Sequence, residues 1–106
     1  MRFGSAGLFL VLALTLVCRE GHSQSNALWN KVNAAGEEAY KQGRYPEAEK
    51  HFLTALKVAE GFGDADPRLP VSLNNLAVLY DAQGKVGEAE PLYKRSLAIR
   101  EKVLGP

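Results

Sequence analysis

Apolar residues recur at helical spacing in four stretches of this 106-residue chain, and polar or glycine-bearing breaks separate them. Leu28, Val32, Ala35, Gly36 and Ala39 define the first stripe. Gln42-Gly43-Arg44 interrupts it, and a glycine that tolerates a left-handed backbone suits a tight turn between antiparallel helices. The second helix begins near Pro46, because a proline in the first turn forfeits no helical hydrogen bond. Its stripe is Ala48, Phe52, Ala55, Leu56 and Ala59, and Glu47 and Glu49 suit the positive end of its dipole. Residues 61–70 (GFGDADPRLP) read as a loop, with Asp66-Pro67 as an N-cap followed by a proline at the first helical position. Pro70 shifts that start by a few residues at most. The third stripe holds Leu73, Leu76, Ala77 and Tyr80. After Gln83-Gly84-Lys85 the fourth holds Ala89, Leu92, Tyr93, Ser96, Leu97 and Val103. No stretch alternates with the period of a strand, so the expected class is all-α.

The second pair of helices repeats the first. GKVGEAEPLY at residues 84–93 answers GRYPEAEKHF at 43–52, and the offset is 41 residues at every matched pair. Glu88-Ala89-Glu90 answers Glu47-Ala48-Glu49, Tyr93 answers Phe52, and Ser96 answers Ala55. A fixed period of this size is the mark of stacked helical hairpins. Gly36 and Ala77 share one place in the leading helices, and Ala48 and Ala89 share one in the following helices. Small side chains there bring helix axes to the short end of the usual range of about 8–10 Å. Phe52 and Tyr93 are expected to fill the space one turn further on.

Before the first stripe stands an unbroken apolar and small run, Ala6 to Val17, behind a positive Met1-Arg2 start and ahead of Arg19-Glu20. It is about half the length of roughly 20 residues that a membrane-spanning helix needs. It fits the apolar region of a secretory signal peptide, with cleavage after Ser25. Cys18 directly follows the run, where a bacterial lipoprotein carries its lipid-modified cysteine, so lipid attachment at Cys18 stays open beside cleavage. The expected division is a signal peptide over 1–25 and a helical domain over 26–106, with hairpins at about 28–60 and 67–105. The protein is accordingly expected outside the cytoplasm, in the periplasm or cell envelope of a bacterium or otherwise secreted. It would meet a membrane only through a lipid on Cys18.

Composition narrows the chemistry further. Without Arg2, Arg19 and Glu20 the domain has equal numbers of Lys/Arg and Asp/Glu, which gives no electrostatic reason for a nucleic-acid partner. Cys18 is the sole cysteine, so the domain is held by packing and not by disulfides. Of two histidines, His22 lies in the leader, and His51 has no companion at metal-ligand spacing. Neither a nucleophile motif nor a phosphate-binding glycine string occurs. Glu47/Glu49 and Glu88/Glu90 stand two apart and cannot face one site on a helix. No catalysis and no cofactor are expected.

The whole arrangement resembles the tetratricopeptide repeat, and within it the longer repeat of kinesin light chains and their many bacterial relatives. The residues that carry the resemblance are Ser72-Leu73-Asn74-Asn75-Leu76-Ala77, Leu79-Tyr80, Gly84-Lys85, Glu88-Ala89-Glu90-Pro91-Leu92-Tyr93 and Leu97-Ala98-Ile99-Arg100-Glu101. They cover residues 67–105 closely and 28–60 more loosely, where Asn33-Ala34-Ala35-Gly36 replaces the LNNLA string and Ala39 stands for Tyr80. The resemblance implies a right-handed solenoid of helix pairs that holds a peptide or partner protein in the groove of its leading helices, without chemistry of its own. Groove candidates are Asn30, Asn33, Glu37, Tyr40 and Lys41 in the first hairpin and Asn74, Asn75, Val78 and Asp81 in the second. Amides both donate and accept, which suits the backbone of an extended peptide. Some members clamp a C-terminal carboxylate with basic side chains; Asn33 and Glu37 stand in those places here, so that ligand is not expected. Leu104-Gly105-Pro106 looks like the loop into a further repeat, and Leu97, Ile99 and Val103 are expected to be exposed. Three further readings stay open: a piece of a longer array, the front of a longer enzyme or sensor, or a structural protein that self-associates through its last helix.

Overall fold

A computed structural model describes residues 24–105. The apolar run at 6–17, Cys18 and His22 lie outside the described residues. Four helices and no strand occur among those described: α1 over 24–41, α2 over Tyr45–Glu60, α3 over Arg68–Ala82 and α4 over Val86–Leu104. They form two antiparallel hairpins, α1/α2 and α3/α4, and α3 packs against both α2 and α4. Gln24 and Ser25 are already helical.

The 41-residue offset holds down to individual backbone bonds. At the first turn the Gly43 N–H donates to the Tyr40 carbonyl (3.0 Å) and the Arg44 N–H to the Ala39 carbonyl (2.9 Å). At the second, Gly84 donates to Asp81 (2.9 Å) and Lys85 to Tyr80 (2.8 Å). This double closure satisfies carbonyls orphaned at a helix end and requires a left-handed residue at its centre. Gly43 and Gly84 supply it with φ of 75° and 76°. The following helix starts at the same point in both hairpins, with Ala48 N–H on the Arg44 carbonyl and Ala89 N–H on that of Lys85.

The α2 stripe read from the sequence is buried in full: Ala48, Phe52, Ala55, Leu56 and Ala59. Ala48 and Ala89 are 0% and 1% exposed, and Gly36 and Ala77 are buried as well. The close approach expected at these positions is therefore present. At Gly36 it is extreme, since a Cβ there would stand 2.5 Å from Cε1 of Phe52.

Five expectations need correction. First, the loop read over 61–70 gives way to α3 at Arg68, one residue past the start that Asp66-Pro67 marked in the sequence and ahead of Pro70. Asp66 Oδ1 accepts from the Arg68 N–H (2.9 Å), so helical geometry already begins beside Pro67, and Pro70 is buried in the first turn of α3. Second, α3 buries Leu69 and Leu79 beyond the four residues of its stripe. It is sandwiched between α2 and α4, so its apolar arc is wider than that of a helix covered on one side. Third, Leu28 is 43% exposed although it opens the α1 stripe. Its counterpart Leu69 is buried by the hairpin that precedes it, and none of the described residues precedes α1 in that way. Fourth, Tyr93 is 37% exposed where its counterpart Phe52 is 3% exposed. Phe52 is covered by α3, whereas no described element covers α4 on that side. Fifth, Ile99 is buried and belongs to the core. It lies one turn beyond Ser96, whose hydroxyl donates to the Pro70 carbonyl (3.3 Å), so both residues face α3. Leu97 and Val103 are exposed, as expected.

The Tyr93 hydroxyl donates to Asp81 Oδ2 (3.0 Å). Burial first, and then this bond, push the tyrosine above its ordinary 10.0. Tyr80 is raised too, by burial and then by the negative charges of Glu49 and Glu88. A group whose folded value lies above its unfolded one stabilises fully below the unfolded value and loses that contribution as pH climbs through the folded one. The urea midpoint is therefore expected to fall as pH rises above 10, and Tyr93→Phe to show a smaller fall. Equal falls in both proteins would contradict this assignment.

Candidate functional site

Between α1 and α3 lies a depression of about 240 Å³. Glu37, Tyr40 and Lys41 wall it from α1, Asn75 and Val78 from α3, and Phe52 of α2 lies at its base. Five of the nine groove candidates thus come together on one surface. They do so because leading helices set side by side present residues spaced three or four apart to the same side. Glu37 and Tyr40 are separated by three residues, as are Asn75 and Val78, while Glu37 and Lys41 are separated by four.

The other four candidates have different positions. Asn33 sits at the rim, where its Oδ1 accepts from Asn75 Nδ2 (2.8 Å) and its own Nδ2 donates to Glu37 Oε1 (3.3 Å). Asp81 is engaged by the Tyr93 hydroxyl. Asn30 and Asn74 are not among the residues that wall the depression. The base is apolar and the rim polar. Phe52 and Val78 can receive a hydrophobic side chain, and the amides can meet a backbone.

The Asn33–Asn75 bond leaves capacity for a ligand. An asparagine amide has two N–H donors and an oxygen with two lone pairs. Asn75 spends one donor on Asn33, which leaves its oxygen and second N–H available to a ligand. Tyr40 is half-buried and stacks at a tilt against Tyr45, with ring centres 5.6 Å apart, which fixes the wall beside Phe52.

Sequence reasoning missed the links that hold α1 and α3 at this separation. Trp29 Nε1 donates to Ser72 Oγ (2.8 Å). Arg68 donates through Nη1 to Asn26 Oδ1 (2.6 Å), grips Asp66 with Nε and Nη2 (2.8 and 2.6 Å), and lies 3.6 Å over the Phe62 ring. Arg68 and Asp66 are largely covered, so this pair is stiffer than the exposed ion pairs Arg44–Glu47 and Lys94–Glu90, each at 3.0 Å. Trp29 gave a signal: it follows Leu28 by one and sits three before Val32, which puts it on the flank that faces a neighbouring helix.

Among the described residues no three His, Cys, Asp or Glu side chains gather as a metal site, and no helix is long and apolar enough to cross a membrane. No curated protein matches the chain. A family model described as Tetratricopeptide repeat matches residues 25–102, which span both hairpins and most of the sequence. The kinesin-light-chain type of this repeat is consistent with that match. With two hairpins whose turns close through the same backbone bonds and a match over that span, the chain belongs to the tetratricopeptide repeat family.

Proposed function

We propose that this protein is an exported interaction module that takes an extended peptide, or an extended segment of a partner protein, between α1 and α3, and that it performs no chemistry of its own. Tetratricopeptide repeats generally mediate protein–protein contacts as non-enzymatic scaffolds, which supports the class. The observation that carries the site is the depression based on Phe52, with the fixed Asn33–Asn75 amide pair at its rim. An apolar ligand side chain enters between Tyr40, Phe52 and Val78 while the ligand backbone bonds to Asn75. The apolar run at 6–17 behind a positive start supports export. Self-association is a second reading, favoured by the exposed Val71, Leu97, Val103 and Leu104.

Panning random displayed peptides against the whole chain tests the groove. Selected peptides are expected to bind about tenfold more weakly, or worse, to Val78→Glu, a difference of about 1.4 kcal/mol. Val78 is exposed, so the melting temperature is expected to stay the same. Peptides indifferent to Val78→Glu and Asn75→Ala but lost on Leu53→Glu, on the exposed side of α2, would move the site out of the groove.

A further inference from the structure

The first turn of α3 and the last turns of α4 form an apolar slot of about 240 Å³, walled in part by Pro70, Val71, Ile99, Val103 and Leu104. Val103 is 47% exposed and Leu104 82%. The 41-residue offset identifies the counterpart of this slot on the first hairpin: Trp29, Asn30, Val58, Phe62 and Gly63 take the places of those residues. That counterpart is filled, and α3 fills it. Arg68 lies over Phe62, Ser72 accepts from Trp29, and Leu69 is 1% exposed. The joint between the hairpins therefore displays what the second slot accepts: a helix with apolar side chains at the registers of Leu69, Leu73 and Leu76.

Counting back 41 residues places Leu28, Val32 and Ala35 of α1 at those registers. Leu28 is 43% exposed, and Val32 and Ala35 are only half-buried, where their counterparts Leu73 and Leu76 are 0% and 2% exposed. We infer that the slot takes α1 of a second copy of this chain, head to tail, with Leu28 of one molecule seated among Pro70, Val71, Ile99 and Val103 of the next. The contact continues across a molecular boundary the interface already present between the hairpins. Because two different surfaces meet, the association is heterologous and does not close at a dimer.

The same register comparison sets its strength. The polar clasps of the internal joint are missing from the intermolecular one. Arg68, Ser72 and Asn75 become Ala27, Lys31 and Ala34, and their partners Asn26 and Trp29 become Pro67 and Pro70. What remains is apolar seating without fixed hydrogen bonds, so the assembly is reversible and grows with concentration.

Sedimentation of the full chain, wild type and variants, tests this. Wild-type mass is expected to rise steadily with concentration over about 1–100 µM, the range of a weak specific contact, without a plateau at two copies. Leu28→Asp removes the inserted face and Val103→Asp the slot, so each variant alone is expected to stay monomeric. An equimolar mixture keeps one intact slot and one intact α1 face and is expected to stop at a one-to-one dimer. Leu104→Asp, at a still more exposed position, repeats the slot arm should Val103→Asp reduce helix content. A wild-type monomer throughout the range would overturn the inference. So would association that survives both substitutions, which would run through another surface such as the apolar run at 6–17. Dimers of Leu28→Asp alone would overturn it as well, because they would mean that α4 pairs with α4.

Discussion

Phe52→Ala is expected to lose about 3–5 kcal/mol of stability, the usual cost of emptying a buried phenylalanine site. The ring is 3% exposed and touches all the parts that matter: Gly36 of α1 on one side, the core cluster on another, and the groove depression above. Ordinary domains hold about 5–15 kcal/mol in total, and an array of two hairpins belongs at the low end of that range. The variant is therefore expected to be largely unfolded at 37 °C, with its urea midpoint shifted far down and its helical circular dichroism reduced. Tyr93→Ala, at the equivalent place in the second hairpin, is expected to cost much less, because that ring is already one-third open to solvent. Comparable losses at the two positions would mean that α4 is covered in solution. The mass measurements on the head-to-tail contact would then report by what.

Gly36→Val is expected to rank second, with a loss of about 1–3 kcal/mol from overpacking. Any Cβ at this position meets Cε1 and Cδ1 of Phe52 at 2.5 and 2.6 Å, below the distance at which carbon atoms rest. The ring is packed into the core cluster, so swinging it toward the depression gives up those contacts. The cause can be isolated by changing the ring. In a Phe52→Leu background a smaller side chain opens room, and Gly36→Ala is expected to switch from destabilising to stabilising. The gain is up to about 1 kcal/mol, the helix preference of alanine over glycine. Such a sign reversal between two touching residues is what a double-mutant cycle measures. Additive effects would show that Gly36 is small for a reason unrelated to Phe52.

These two residues also show why parts of the fold were legible in the sequence. The 41-residue register rests on backbone requirements at Gly43 and Gly84 and on the contact of small residues with large ones. Both leave residue-type signatures that survive without coordinates. The α2 stripe was complete for the same reason, since α2 is covered mainly along one side and shows a plain amphipathic pattern. Leu79 and Leu69 were missed because α3 is covered on two sides, and a helix so placed does not show a single stripe. Leu28, Tyr93 and Ile99 were misjudged because burial there depends on which neighbour a helix has, and periodicity within one helix does not contain that information. In the groove the sequence named the residue types but not their grouping. Glu37, Tyr40, Lys41, Asn75 and Val78 share one depression, while Asn30 and Asn74 stand apart from it, and only the offset between α1 and α3 decides which is which. Trp29, Arg68 and Asn26, which set that offset, carry no motif of their own.

The groove assignment is tested most directly by nuclear magnetic resonance of the whole chain titrated with a display-selected peptide. The side-chain amide signals of Asn33 and Asn75 are expected to shift on titration, together with backbone signals over 37–41 and 75–81, while the exposed side of α2 around Leu53 stays unchanged. Shifts confined to α2 or to the end of α4, with both asparagine amides unmoved, would contradict it.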